Sequence, residues 1–128
     1  MMIKKDSILA IFCSTVWIGV SEFFRNKLMF NSYWVEHYSA MGLVFPDQWT
    51  NGLVWGIWSL FFAFFIYIIF KKFSWPHTIF VSWFGGFVLM WLVVWNLGVL
   101  PLKILIVATP LSILEVTVAC LIYKKFLR

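Results

Sequence analysis

Polar side chains interrupt this chain at few places, and the apolar runs between them have the length of membrane-crossing helices rather than of strands. Residues 7–30, SILAIFCSTVWIGVSEFFRNKLMF, follow the polar group Lys4, Lys5 and Asp6. Residues 52–70, GLVWGIWSLFFAFFIYIIF, carry no charge and stop at Lys71 and Lys72. Residues 78–100, TIFVSWFGGFVLMWLVVWNLGVL, are entered through Pro76 and His77, where proline suits a helix start. Residues 101–123, PLKILIVATPLSILEVTVACLIY, are closed by Lys124 and Lys125. A helical crossing takes roughly 20 residues, while a barrel strand takes about 10 with in/out alternation that these runs lack. The first run exceeds a signal-peptide core and carries Glu22 and Arg25 in place of a small-residue cleavage site, so it is expected to remain as a helix.

The linkers refine this picture. The second and third runs are joined by KKFSWPH and the third and fourth by GVLP, too short for anything but adjacent antiparallel neighbours. The loop over residues 31–51 is longer. Its Trp34, Tyr38 and Met41 recur at i, i+4 and i+7 before Gly42 and Phe45-Pro46-Asp47 break the pattern, which predicts a short helix lying at the membrane interface. The expected fold is therefore all-α, a polytopic integral membrane protein. Residues 1–128 form a single domain of four transmembrane helices in an antiparallel bundle, with a short interfacial helix in the first outer loop.

Composition agrees with the pattern: 63% of residues are apolar, 22% aromatic and 12% charged, and the mean hydropathy is +0.94. Soluble domains are about half apolar and a quarter charged. The net charge of +5 comes largely from lysines at helix ends and calls for anionic lipid as a neighbour, not nucleic acid. With alternating helices, Lys4, Lys5, Lys71, Lys72, Lys124, Lys125 and Arg128 fall on one side, and Arg25, Lys27 and Lys103 on the other. The excess of basic residues places both termini in the cytoplasm, and the expected location is a bacterial inner membrane.

Each run also carries small and polar residues at helical spacing. These are Thr15, Gly19, Glu22 and Asn26; Gly52, Gly56, Ser59 and Ala63; Ser82, Gly85, Gly86 and Asn96; and Ala108, Ser112, Glu115 and Ala119. Apolar lipid gives helices little reason to associate, so close packing and hydrogen bonds must supply it, and these stripes are expected to face inward. Glu115 lies on the fourth stripe, about 14 residues from the outer start of its helix, close to the midplane at ~1.5 Å per residue. Pro110 sits one turn before it and removes the donor for the Ile106 carbonyl. A carboxylate at that depth costs roughly 3 kcal/mol on insertion scales, so it is expected to face protein or water and to be functional. Glu22 has Arg25 three residues on, which makes a same-face ion pair available locally. Asn96 and Lys103 are candidates to complete a polar mouth with Glu22, Arg25 and Asn26.

Other chemistry is thin. Cys13 and Cys120 stand alone in different runs, with no C-x-x-C, and both are expected to be free. His37 and His77 lie in loops on opposite sides, and there is no phosphate loop, nucleophile elbow or HExxH. No metal, cofactor or enzymatic activity is expected. In size, number of spans and possession of a membrane glutamate the layout resembles that of small four-helix multidrug exporters, and no site residue follows from that resemblance. The first functional reading is a transporter or channel-like protein handling a cation, proton or small solute through Glu115, with Glu22, Arg25, Ser112 and Asn96 as accessory binding residues, completed by homo-oligomerisation. The second is a non-enzymatic accessory or immunity-type subunit that binds a partner membrane protein. The third is a lipid-modifying enzyme using Glu22, Glu36, His37 and Asp47.

The charge asymmetry generates a topology test. Reporter fusions after Lys72 and at Arg128 should both score cytoplasmic, and a fusion at Asp47 external; an external C-terminus would mean the number of crossings is wrong.

Overall fold

The computed structural model describes residues 3–127, and Arg128, counted above with the basic residues, lies outside them. Among the described residues every regular element is helical. Helix α1 (Lys5–Phe23) runs into a π-helical turn (Phe24–Met29), followed by α2 (Asn31–Ala40), α3 (Trp49–Lys72) and α4 (Trp75–Trp83). A second π-helical turn (Phe84–Val88) joins α4 to α5 (Leu89–Asn96), and a 3-10 turn (Leu102–Ile104) opens α6 (Leu105–Leu127). Counted as continuous rods, four helices among the described residues are long and apolar enough to cross a membrane: Lys5–Met29, Trp49–Lys72, Trp75–Asn96 and Leu102–Leu127.

Helix ends differ from the sequence expectation for local reasons. The second rod begins three residues before Gly52 because the Gln48 N–H donates to Asn51 Oδ1 at 2.9 Å and caps it. The third stops at Asn96 instead of Leu100, where the Gly98 N–H turns back to the Trp95 carbonyl at 2.9 Å. Pro101 precedes the fourth rod as its cap. The expected short helix in the 31–51 loop is α2. Its Trp34 and Tyr38 share a face, closed by Phe45 with ring centroids 5.7 and 5.2 Å away. Gly42, at φ +73°, ends that helix in the left-handed conformation that favours glycine.

Helix α1 packs against α3 and α6, and α4 packs against α6 and α3. The core holds Ile18, Phe62, Ile66, Phe70, Phe87 and Tyr123, and a second cluster forms around Phe30, Leu100, Ile104 and Ala108. The distribution of polarity is inverted relative to a soluble bundle. Ser7, Ser14, Glu22, Arg25, Ser59, Thr78, Ser82, Ser112 and Glu115 are buried, while Phe12, Val20, Phe61, Ile106 and Leu114 are exposed. Two relations fix which ends lie together. Lys124 Nζ sits 5.5 Å from the Trp75 ring, joining the end of α6 to the start of α4, and Lys27 pairs with Asp47 at the other end of the first rod.

The small-residue stripes face inward only in part. Ala108, Ser112, Glu115 and Ala119 are all buried, as are Ser59 and Ala63, but Gly52, Gly56, Gly85 and Asn96 are exposed and Thr15 and Gly19 lie at the edge of the buried face. The π-helical turn explains the third rod, where it carries Gly85 and Asn96 off the packed face, while in the first rod Thr15 and Gly19 precede the turn and stand one position beyond the buried Ser14 and Ile18. Arg25 and Phe30 are both buried, as are Ser82 and Phe87, each pair five residues apart. On a straight α-helix such a step turns the side chain by about 140° away from the packed face. The wider turn, with Phe30 N–H bonded to the Arg25 carbonyl at 3.0 Å, restores it.

Gly86 marks the closest approach. A Cβ at this position would overlap the Phe62 ring, which is held in place by Trp58 stacked at 4.8 Å and Phe87 edge-on at 5.6 Å. Replacing Gly86 by Ala should destabilise the protein by about 1–3 kcal/mol through overpacking, read as a lower melting temperature in detergent, and Phe62→Leu in the same chain should recover part of the loss. An unchanged melting temperature in Gly86→Ala would contradict this packing.

Candidate functional site

The inward faces of α1, its π-helical turn and α6 bring three ionisable side chains together. Glu22 and Arg25 are one helical turn apart and form an ion pair, as the sequence spacing allows. Asn26 Nδ2 donates to Glu22 Oε2 at 3.0 Å and to the Glu22 carbonyl at 3.2 Å. Glu115, which has no basic neighbour on its own helix until Lys124, finds Arg25 across the interface, with Nη1 3.6 Å from its Oε1. Exposure is 3% for Glu22, 5% for Arg25 and 0% for Glu115, so the triad is withdrawn from solvent and from any surrounding lipid.

Hydrogen bonding within the triad is unequal. Glu22 is served by Arg25 and Asn26, whereas among the described residues the Glu115 carboxyl group and Arg25 Nη1 have no hydrogen bond of ordinary length and meet as the 3.6 Å ion pair. One guanidinium therefore faces two carboxyl groups, and only one full negative charge can be balanced inside the cluster. The face of the guanidinium is closed by the Phe87 ring, 5.1 Å from Cζ to the centroid, a cation–π contact contributed by the second π-helical turn. In this way the two irregular turns meet at Arg25.

Two tryptophans frame the glutamate. Trp17 Nε1 donates to the Glu115 carbonyl at 2.9 Å, and Trp83 Nε1 donates to Ser112 Oγ at 2.9 Å. Ser112 in turn donates to the Thr109 carbonyl at 2.8 Å within α6, so its hydroxyl links the Trp83 indole of α4 to the α6 backbone. Arg25 also lines a cavity of about 280 Å³ between α1 and α6, walled by Trp17, Val20, Phe24, Leu111 and Leu114.

Of the residues expected at the site, Glu22, Arg25, Asn26 and Glu115 are brought together, while Ser112, buried on the same helix as Glu115, bonds to Trp83 and Thr109 instead. Asn96 is exposed at the end of α5 and makes none of these contacts. Lys103 lines a separate cavity of about 510 Å³ with Tyr33, Glu36 and His37, where His37 Nε2–H donates to the Gly98 carbonyl at 2.7 Å. That cavity includes neither Glu22 nor Asp47, and Asp47 pairs instead with Lys27. Cys13 and Cys120 are both free. Trp17, Trp83 and Phe87 were not foreseen. For the two indoles a signal existed, since a buried N–H in apolar surroundings needs an acceptor. Phe87 carried none, because its orientation depends on the π-helical turn.

The chain matches no family model, no curated protein and no solved structure. The cluster must speak for itself.

Its geometry predicts an asymmetric response to mutation. Arg25→Met keeps an unbranched apolar stem but leaves Glu22 and Glu115 facing each other uncompensated, and should lower stability by about 3–5 kcal/mol in detergent at neutral pH. Asn26→Ala should lose only about 1 kcal/mol, since it removes one partner of a group that keeps another. Equal losses in the two variants would mean that Arg25 does not hold the cluster together.

Proposed function

We propose that this is a small integral membrane protein that carries a proton or small cation through the Glu22–Arg25–Glu115 cluster. The observation that carries the reading is the imbalance of two buried carboxyl groups around one guanidinium. An uncompensated carboxylate in an apolar interior is strongly disfavoured, so the second carboxyl group is completed by a proton or by another cation. A group that must acquire and release a positive charge in the middle of a membrane is suited to transport. Glu115 is itself enclosed, so exchange requires Arg25, which borders the adjacent cavity, to move away from it.

Membrane insertion follows in this reading from the inverted polarity and the four long apolar helices. The short connections, and the meeting of α6 and α4 ends at Lys124 and Trp75, support an antiparallel bundle. With Arg25 buried, the described basic residues that reach the surface are Lys4, Lys5, Lys71, Lys72, Lys124 and Lys125 on one side against the half-buried Lys27 and the exposed Lys103 on the other. Both termini are then cytoplasmic, in a bacterial inner membrane, and α2 with its Trp34–Tyr38–Phe45 cluster lies along the outer interface.

A second reading is favoured by one specific feature. Gly52 and Gly56, four residues apart on α3, are exposed with open space where a Cβ would project. A bare small-residue face on an apolar helix suits close packing against another helix, from a second copy or from a partner membrane protein that this chain accompanies as an accessory subunit.

Glu115→Gln separates the readings, because an amide keeps the shape of the side chain but cannot ionise. In liposomes under an imposed proton or cation gradient, wild-type protein should dissipate the gradient, while Glu115→Gln should remain folded and reduce flux at least tenfold. Glu115→Ala should lose stability as well, by about 1–3 kcal/mol, through the cavity it leaves. A Glu115→Gln protein with unchanged flux, or a wild type with none, would put the accessory-subunit reading first.

A further inference from the structure

The 510 Å³ cavity between α2 and the connection from α5 to α6 takes no part in the charged cluster, yet it carries charges of its own. Tyr33, Glu36 and His37 fall at i, i+3 and i+4 on α2, so one face of that helix forms the first wall. The second wall is built from Trp95 at the end of α5 and Lys103 in the 3-10 turn that opens α6. The hydrogen bond from His37 Nε2–H to the Gly98 carbonyl at 2.7 Å ties the two walls together. Gly98, at φ +78°, supplies the left-handed turn that brings its carbonyl to that position.

Glu36 sets a carboxylate on one wall and Lys103 an ammonium on the other, and among the described residues neither belongs to an ion pair. Opposite charges that line one cavity without touching each other select the charge type of a ligand. A cation pairs with Glu36 but is opposed by Lys103, and an anion meets the reverse. An uncharged molecule gives neither a partner. A zwitterion satisfies both and leaves the net charge of the cavity unchanged.

The apolar part of the lining narrows the zwitterion further. Trp95 and Leu102 are each 54% exposed, and Ile106, four residues after Leu102 and 82% exposed, continues their edge along α6. That edge suits a molecule with an acyl chain and offers nothing to a small soluble zwitterion. A carboxylate takes charge-assisted hydrogen bonds from a primary ammonium, whereas a trimethylammonium has no N–H to give.

We propose that this cavity binds the headgroup of an ethanolamine phospholipid, its ammonium donating to the Glu36 carboxylate, its phosphate accepting from Lys103 Nζ, and its acyl chains lying over Leu102 and Ile106. The inference rests on the membrane location proposed above, in which α2 lies at the outer interface where headgroups are found, and does not depend on transport at Glu115.

The full-length protein in detergent is incubated with equal amounts of phosphatidylethanolamine, phosphatidylcholine and phosphatidylglycerol bearing the same acyl chains, and retained lipid is identified by native mass spectrometry. A single ethanolamine lipid should be retained about tenfold over the other two, the difference one charge-assisted hydrogen bond makes. Glu36→Gln should abolish the preference for ethanolamine over choline, and Lys103→Gln should lower retention of both, each at unchanged melting temperature. Lys72→Gln, at the far end of α3, should change neither. Retention in equal proportion, a preference for the choline or glycerol lipid, or an ethanolamine adduct unaffected by both Glu36→Gln and Lys103→Gln would overturn the proposal. Displacement by an equal concentration of free phosphoethanolamine would overturn it too, assigning the cavity to a soluble zwitterion. A protein that stays in solution without detergent would instead refute the membrane location on which the site rests.

Discussion

A single buried guanidinium is the constraint around which this structure is arranged. Arg25 lies away from solvent in an otherwise apolar molecule, and a charge in that position persists only if its surroundings compensate it. Glu22 supplies the first compensation from the same helix, Glu115 the second from α6, and the Phe87 ring covers the remaining face. Each partner comes from a different segment, so satisfying Arg25 also docks those segments on one another. The π-helical turns belong to the same requirement. One carries Arg25 and keeps Phe30 on the packed side, and the other sets Phe87 on the side of Ser82.

Away from the cluster, the packing uses means that work without a hydrophobic drive. Indole and phenol groups span interfaces by donating to carbonyl or hydroxyl oxygens: Trp17 to Glu115, Trp83 to Ser112, and Tyr123 to the Ala63 carbonyl at 2.6 Å. Gly86 admits the Phe62 ring of a neighbouring helix closely. Two carboxyl groups around one guanidinium leave the middle of the molecule short of one positive charge. In the reading proposed above, a proton or cation taken up by the cluster makes good that shortage.

Much of the architecture is legible in the sequence because length and apolarity alone decide it. Four runs of about 20 apolar residues admit few alternatives, and each became a long helix. The local pair Glu22–Arg25 is legible for the same reason, since i, i+3 spacing is a property of one helix. Contacts between helices are less so. Nothing near Glu115 in sequence names Arg25 as its partner, and Asn96, which falls at a plausible spacing, ends exposed because a π-helical turn rotates the third rod before reaching it. Gly52 and Gly56 show a related limit: a small-residue stripe identifies a face made for packing but not whether the partner belongs to the same chain.

The central claim is that Glu22 and Glu115 share one cation, and a double-mutant cycle measures that sharing directly. Glu22→Gln, Glu115→Gln and the double variant are compared by reversible unfolding in detergent micelles. If one carboxylate suffices to balance Arg25, each single change is mild, and the double change, which strands the guanidinium, loses about 2–3 kcal/mol more than the sum of the two. Additive losses within about 0.5 kcal/mol would show that the two glutamates act independently, and would contradict the account.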